Sequence, residues 1–189
     1  MINYTPIDIG QSLNKSEILD NFTPHKGWNF WSFEKLTESK GGKYGKNNIT
    51  EKAKNKYPKL CEYISHLPFT HISNVKINIQ MEKVTPHIDF VTPKEGLDLY
   101  KNNLNNEPCG YRIVVKGKND VLKLHVNEEV KTCYMPVDTD CYVINHTSGK
   151  HSIDEDTGRV IVYVSGFIDK DKHLDILNKS IKKYSEYVI

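Results

Sequence analysis

Arginine is nearly missing from this chain: of its 26 basic residues only Arg112 and Arg159 are arginine, and the rest are lysine. Lysine suffices wherever a solvated positive charge is enough. The two positions that are arginine therefore point to places where a planar, bidentate fork grips a carboxylate or phosphate. A surplus of either charge is missing too. A net charge of +2 with a pI near 8.2 argues against a nucleic-acid or membrane-surface partner, and the densest lysine cluster, residues 40–56, reads as a solvated face. The four cysteines, Cys61, Cys109, Cys133 and Cys141, show no CxxC spacing and read as reduced thiols of a cytoplasmic protein. No apolar run approaches membrane-span length, and MINYTPIDIG has no basic-then-apolar leader. The expectation is a soluble chain with no membrane partner, free of internal repeats.

What is present suits one domain over residues 1–189, long enough for a real core. Residues 1–71 form an N-terminal flank. In it, alternation around Pro6 predicts a bent edge strand, Asn14 or Ser16 can cap a short helix holding Ile18 and Leu19, and the aromatic cluster in residues 27–36 reads as core. Residues 39–48 read as a loop, and Thr50 starts a helical stretch broken or restarted at Pro58. From residue 72 the period changes. Val75, Ile77, Ile79 and Met81 alternate with polar neighbours as a half-buried strand does. Short strand-like runs follow at 87–91, 111–116, 121–126, 131–136, 141–145 and 159–168. That rhythm predicts a mainly β fold with flanking helices, a sandwich or jelly roll over 72–168. The stretch 92–109 breaks it and could hang over His87 and Asp89 as a lid. Leu174, Leu177, Ile181, Tyr184 and Val188 mark a closing helix over 170–189.

In a strand, residues i and i+2 share a face, so His87-Ile88-Asp89 presents an imidazole and a carboxylate side by side. A second such pair, His173-Leu174-Asp175, falls in the closing helix, where that spacing shares no face. One more histidine would complete a two-His-one-carboxylate face with open positions, a set that suits non-haem Fe(II). His151 is favoured and His146 is the alternative, while His125 reads as a structural histidine. On the last strand Val160, Val162 and Val164 take one face, expected under helices. Arg159, Ile161, Tyr163, Ser165 and Phe167 take the other, which places a guanidinium in the interior. A buried cation needs a partner: a bound carboxylate, or Asp154, Glu155 or Asp156 across the turn.

The ordered set His87-Ile-Asp89, Tyr111-Arg112-Ile-Val-Val, His151-Ser-Ile and Arg159 resembles the Fe(II)/2-oxoglutarate-dependent oxygenases with a double-stranded β-helix (jelly roll, cupin-like) core. Within them it is most similar to the aspartyl/asparaginyl β-hydroxylase-like or amino-acid hydroxylase branch. The resemblance covers about residues 72–168. It implies iron on His87, Asp89 and His151, with 2-oxoglutarate and O2 as co-substrates. Arg159 would hold the distal carboxylate, and Arg112, Ser165 and Tyr111 are further candidate co-substrate contacts. The implied reaction hydroxylates an unactivated C–H of an amino-acid side chain, free or in a peptide, or of a small metabolite, releasing succinate and CO2. Two departures stand out: Val114 occupies the place of a histidine common in that branch, and the 92–109 insertion is unusual. Ser165 stands where nucleic-acid demethylases of the superfamily carry a second arginine, which argues against that branch. The remaining alternatives are a cupin-like metalloenzyme that does not use 2-oxoglutarate and a non-catalytic ligand-binding barrel.

Overall fold

The alternation through Val75, Ile77 and Ile79 forms the middle of a long strand, β3 (Phe69–Gln80), at the heart of the larger of two sheets. The computed structural model describes residues 3–25, 27, 30–38, 40, 46–89, 108–144 and 149–189. Before β3 come β1 (Tyr4–Ile7), α1 (Lys15–Asn21), β2 (Trp31–Lys35), α2 (Glu51–Lys56) and α3 (Pro58–Ser65). After it come β4 (Val84–His87), β5 (Pro108–Lys116), β6 (Leu122–Val126), β7 (Glu129–Thr132), β8 (Cys141–Ile144), β9 (Lys150–Ile153), β10 (Val160–Ile168) and α4 (Lys170–Lys183). The six-stranded sheet has the order β1-β8-β5-β10-β3-β2, and the four-stranded one β4-β9-β6-β7. All pairings are antiparallel. From β3 to β10 the chain passes back and forth between the two layers, which is the wiring of a double-stranded β-helix.

Two cores result. Val160, Val162 and Val164 pack with Tyr111, Ile113 and residues of α1 to α3 on the outer face of the large sheet, as the all-valine face predicts. Tyr4, Val84, Leu122, Leu124, Tyr142 and Ile153 fill the space between the sheets. Pro6 is tolerated because β1 is an edge strand of the large sheet.

The helices begin where local chemistry allows. Asn14 Oδ1 accepts from Glu17 N–H at 3.0 Å, Thr50 Oγ1 from Ala53 N–H at 3.1 Å, and Asp169 Oδ1 from Lys172 N–H at 3.1 Å, each an N-cap. The α3 helix starts on Pro58, and its Lys59 and Leu60 N–H groups donate to the Glu17 carboxylate at 3.1 and 2.9 Å. That long-range cap satisfies two of the donors every helix start leaves open.

Several expected boundaries move, most by one to three residues. The strand expected at 87–91 is β4, which ends at His87. The strand expected at 131–136 is β7, which starts at Glu129 because Asn127 and Glu128 take positive φ (49° and 68°) in the tight turn from β6. Part of the aromatic cluster is the edge strand β2, with Trp31 and Phe33 half-buried. Most of the 39–48 loop and residues 92–107 lie outside the described residues. Among the described residues, Cys61, Cys133 and Cys141 are free thiols, and no helix is long and apolar enough to cross a membrane.

Glu34 of β2 ties the N-terminal flank together. Its carboxylate accepts from Lys56 Nζ at 2.8 Å, Tyr57 Oη at 2.8 Å and Thr23 N–H at 3.0 Å. Burial alone would raise this carboxyl's pKa, but the Lys56 ammonium and the two hydrogen-bond donors outweigh it and hold it below the usual value. A depressed folded-state pKa means that the stabilisation is complete above the unfolded value of about 4.3 and disappears as pH falls through the folded one. Glu34→Gln is expected to cost about 1.5–3 kcal/mol at pH 7, the range for a hydrogen bond to a charged group. Urea denaturation between pH 7 and 3 should show the difference from wild type shrinking toward the acid end.

Candidate metal centre and anion site

His87 closes β4 and His151 is the second residue of β9, and the two are registered neighbours across that antiparallel pair. Side chains at such a pair point the same way, so the rings lie 4.4 Å apart at 52°. Asp89 lies two residues beyond β4 rather than within it, yet its carboxylate turns back to the pair. Asp89 Oδ1 is 3.3 Å from His87 Nε2 and 3.6 Å from His151 Nε2. The candidate ligand atoms all lie within 4.8 Å of one another, the group of this kind found among the described residues. His146 lies outside the described residues.

Each imidazole is turned by its other nitrogen. His87 Nδ1 is 2.8 Å from the Thr85 carbonyl oxygen, and His151 Nδ1 is 3.1 Å from that of Gly149. A carbonyl only accepts, so both Nδ1 atoms carry the proton and both Nε2 lone pairs face Asp89 Oδ1. Three lone-pair atoms aimed at one point repel unless a cation or a proton lies among them. Ligand atoms about 2.0–2.2 Å from an ion and at right angles to one another are roughly 3 Å apart, close to the separations here. The donor set therefore fits a divalent ion that accepts nitrogen and oxygen.

The two histidines sit in unlike fields. Asp89 raises the pKa of His87, helped by the Thr85 carbonyl and opposed by burial and Arg112. Burial lowers that of His151, with Arg112 and His87 adding to it against the Gly149 carbonyl and Asp89. His151, 4% exposed, is thus neutral and ready as a ligand. His87 lies on the open side with Asp89.

Arg159 stands at the root of β10, where its carbonyl accepts from Gln80 N–H at 2.8 Å. Its side chain is 2% exposed. One nitrogen, Nη2, donates to Tyr142 Oη at 3.4 Å, while the buried Nε and Nη1 have no partner. The across-the-turn alternative is not used: Asp156 Oδ2 instead accepts from Lys118 N–H at 2.8 Å. The approach is tight enough to require Gly117, whose φ is +130° and where a Cβ would come within 2.5 Å of Arg159 Cγ. Arg159, Tyr142, Val114, Leu122 and Cys133 border a small cavity between the sheets. Val114 is one inward step along β5 from Arg112, and Leu122 one step along β6 from Leu124, which registers with His151. The cavity therefore begins one such step, roughly 6.6 Å along the strands, from Arg112 and Leu124, the residues that neighbour Asp89 and His151.

The other expected contacts separate. Arg112 lies on the inward face, but its Nη2 donates to Asp89 Oδ2 at 3.0 Å. Tyr111 must be corrected: adjacent residues of a strand face opposite ways, and its fully buried ring joins the outer core, with its hydroxyl 2.7 Å from His173 Nδ1 on α4. From there it cannot reach a ligand between the sheets. Ser165 shares the inward face but registers with Gly110, beyond the Arg112–Tyr163 pair and on the far side of it from Arg159, so it is not brought to the arginine. His125 faces away from the triad and lies 2.9 Å from Ser152 Oγ, the structural histidine expected. Tyr142 is the residue the sequence reading missed. Its place in a strand was visible, but the face it takes depends on pairing with β5.

No protein-family model and no curated protein matches the sequence. Solved structures do. A prolyl hydroxylase from Trichoplax adhaerens, in complex with a hypoxia inducible factor oxygen degradation domain peptide fragment, aligns with 91% of this chain and 86% of its own at a TM-score of 0.53 and 10% identity. An oxidoreductase of the 2OG-Fe(II) oxygenase family from Burkholderia pseudomallei aligns with 82% of this chain and 77% of its own (TM-score 0.47, 8% identity). A Pseudomonas putida prolyl-4-hydroxylase aligns with 82% and 80% (TM-score 0.43, 6% identity). At that level of identity, what the chain shares with the Trichoplax enzyme is the double-stranded β-helix fold.

Proposed function

We propose that this protein is an Fe(II)/2-oxoglutarate-dependent oxygenase that hydroxylates an unactivated C–H of an amino-acid side chain, free or in a peptide, or of a small metabolite. The observation that carries this reading is a buried guanidinium with two unpartnered nitrogens at the cavity between the sheets, in the same sandwich as a converging His87, Asp89 and His151. A metal site alone fits many enzymes. A metal site beside an unmet demand for a carboxylate fits one whose co-substrate is an anion that spans from ion to arginine, as a five-carbon dicarboxylate would.

In this reading His87, Asp89 and His151 hold the ion, and the Thr85 and Gly149 carbonyls keep both Nε2 atoms free for it. Arg159 takes the distal carboxylate of 2-oxoglutarate by its fork, and Tyr142 Oη, already 3.4 Å from Nη2, offers that carboxylate a second donor. The apolar walls Val114 and Leu122 keep water from the co-substrate's methylenes, which strengthens every charge interaction inside. Bound Fe(II) supplies the activation of O2, coupled to conversion of 2-oxoglutarate to succinate and CO2, that hydroxylation of such a bond requires. The substrate approaches from the exposed side of His87 and Asp89.

The placement in the aspartyl/asparaginyl β-hydroxylase-like or amino-acid hydroxylase branch rests on the order of the sequence motifs. A peptide substrate is supported by the peptide described with the Trichoplax enzyme. We read the chain as cytoplasmic on its reduced thiols.

Without oxygen, adding Fe(II) and 2-oxoglutarate together should produce a weak visible charge-transfer band that neither produces alone. No band at saturating concentrations of both would sink this reading.

A further inference from the structure

Asp89 lies where the chain has already left β4. A hold on its carboxylate comes from the opposite layer. Arg112 of β5 donates through Nη2 to Asp89 Oδ2 at 3.0 Å, while Oδ1 faces the two imidazoles. The Arg112 side chain is itself mostly buried, at 9% exposure against 33% for Asp89, which makes it the fixed member of the pair. It is supported in turn. Tyr163, its registered neighbour on β10, places its ring centroid 5.2 Å from the guanidinium carbon, and the Gly110 carbonyl accepts from Nη1 at 3.4 Å. Gly110 also lets that ring lie against the strand, because a Cβ there would come within 2.8 Å of Tyr163 Cε2.

From this chain of contacts we infer that Arg112 is a positioning residue that assigns the two oxygens of Asp89. It reserves Oδ2 for itself and leaves Oδ1 as a single ligand atom, and Tyr163 and Gly110 form its seat. The inference rests on the metal reading above. A carboxylate free to rotate can offer an ion one oxygen or both, and a two-oxygen grip would take a position that a co-substrate needs. Arg112 acts against this by occupying one lone-pair face with a charge-assisted hydrogen bond. The guanidinium charge also repels an arriving cation. The two effects have opposite signs, so substitution separates them: loss of positioning weakens metal binding, and loss of charge alone tightens it.

The test uses the full chain and Co(II), followed by calorimetry and by the visible spectrum, which reports coordination number without turnover. Arg112→Met should bind Co(II) about 10- to 100-fold more weakly, the usual loss for an outer-shell partner, with an altered spectrum. Arg112→Lys, which keeps the charge and one donor, should recover affinity to within about 5-fold of wild type, and Tyr163→Leu should fall between the two. Melting of each metal-free variant verifies that it is folded at the temperature of titration, and Tyr163→Leu, which leaves the ion pair intact, stands in should Arg112→Met not fold. An Arg112→Met protein that binds Co(II) as tightly as wild type or more so, with the wild-type spectrum, overturns the inference and leaves the metal site standing. A wild-type protein that binds no Co(II) overturns the metal reading and this inference with it.

Discussion

Arg159→Met is expected to abolish 2-oxoglutarate binding while making the ligand-free protein more stable. The guanidinium is buried with Nε and Nη1 unpartnered, so the folded chain bears the desolvation cost of a charge without the compensating bonds. Methionine of similar reach removes that cost. Replacing a poorly compensated buried charge by an apolar isostere typically gains about 1–4 kcal/mol. The same change removes the fork that would grip the co-substrate. Two charge-assisted hydrogen bonds at about 1.5–3 kcal/mol each correspond to a rise in Kd of more than about 100-fold. Mn(II) affinity should move less than about 2-fold, because the side chain contacts Tyr142 and none of the three candidate ligands. Arg159→Lys should keep the charge, lose the fork and still bind 2-oxoglutarate at least about 10-fold more weakly. Urea denaturation and a 2-oxoglutarate titration on one sample of each variant check both halves. A destabilised Arg159→Met protein, or one that loses metal and co-substrate equally, would mark the arginine as structural.

The second large effect is expected from His151→Ala. Removing one of three protein ligands should weaken Co(II) or Mn(II) binding beyond the 10- to 100-fold that follows loss of an outer-shell partner, and reduce succinate production to background. The His151 ring is buried beside Leu124, so the metal-free melting temperature should fall as well, by the cost of a cavity. His146→Ala is the paired measurement. It should leave metal affinity unchanged, and the reverse pattern would transfer the distal ligand to His146.

The period-2 runs of β3, β5 and β10 were legible because both their faces are apolar or patterned over nine residues or more. The assignment of Val160, Val162 and Val164 to the helix side follows from the same pattern and is what the structure shows. Short strands were less legible. Four residues of β4 contain Pro86 and a register irregularity between Val84 and His87, so no alternation marks where they end. The triad was legible as residue types and spacing, but for a reason that differs from the geometry. Asp89 lies beside His87 as the spacing expected, but past the end of β4 and with a hold from Arg112 that the spacing does not announce. Tyr111 was misplaced for a simple reason. A residue next to Arg112 in sequence is its opposite in facing, and an aromatic ring beside an arginine gives no sign of which of them looks inward. Tyr142 meets Arg159 through strand pairing, and Thr85 and Gly149 each meet a histidine two residues on through a backbone carbonyl, so no residue type announces them.

The three candidate ligand side chains all come from one edge of the four-stranded layer, whereas Arg112 belongs to a strand of the six-stranded one and Arg159 directly precedes another. In the proposed reading, loading of the ion and capture of the anion are therefore properties of different halves of the sandwich, joined across the gap by Arg112 on Asp89. Small sliding of one half past the other would alter the span between ion and anion grip while leaving each intact. An oxygenase built this way, as proposed, would keep its chemistry and still retune how long a co-substrate it accepts through changes in the packing between the sheets.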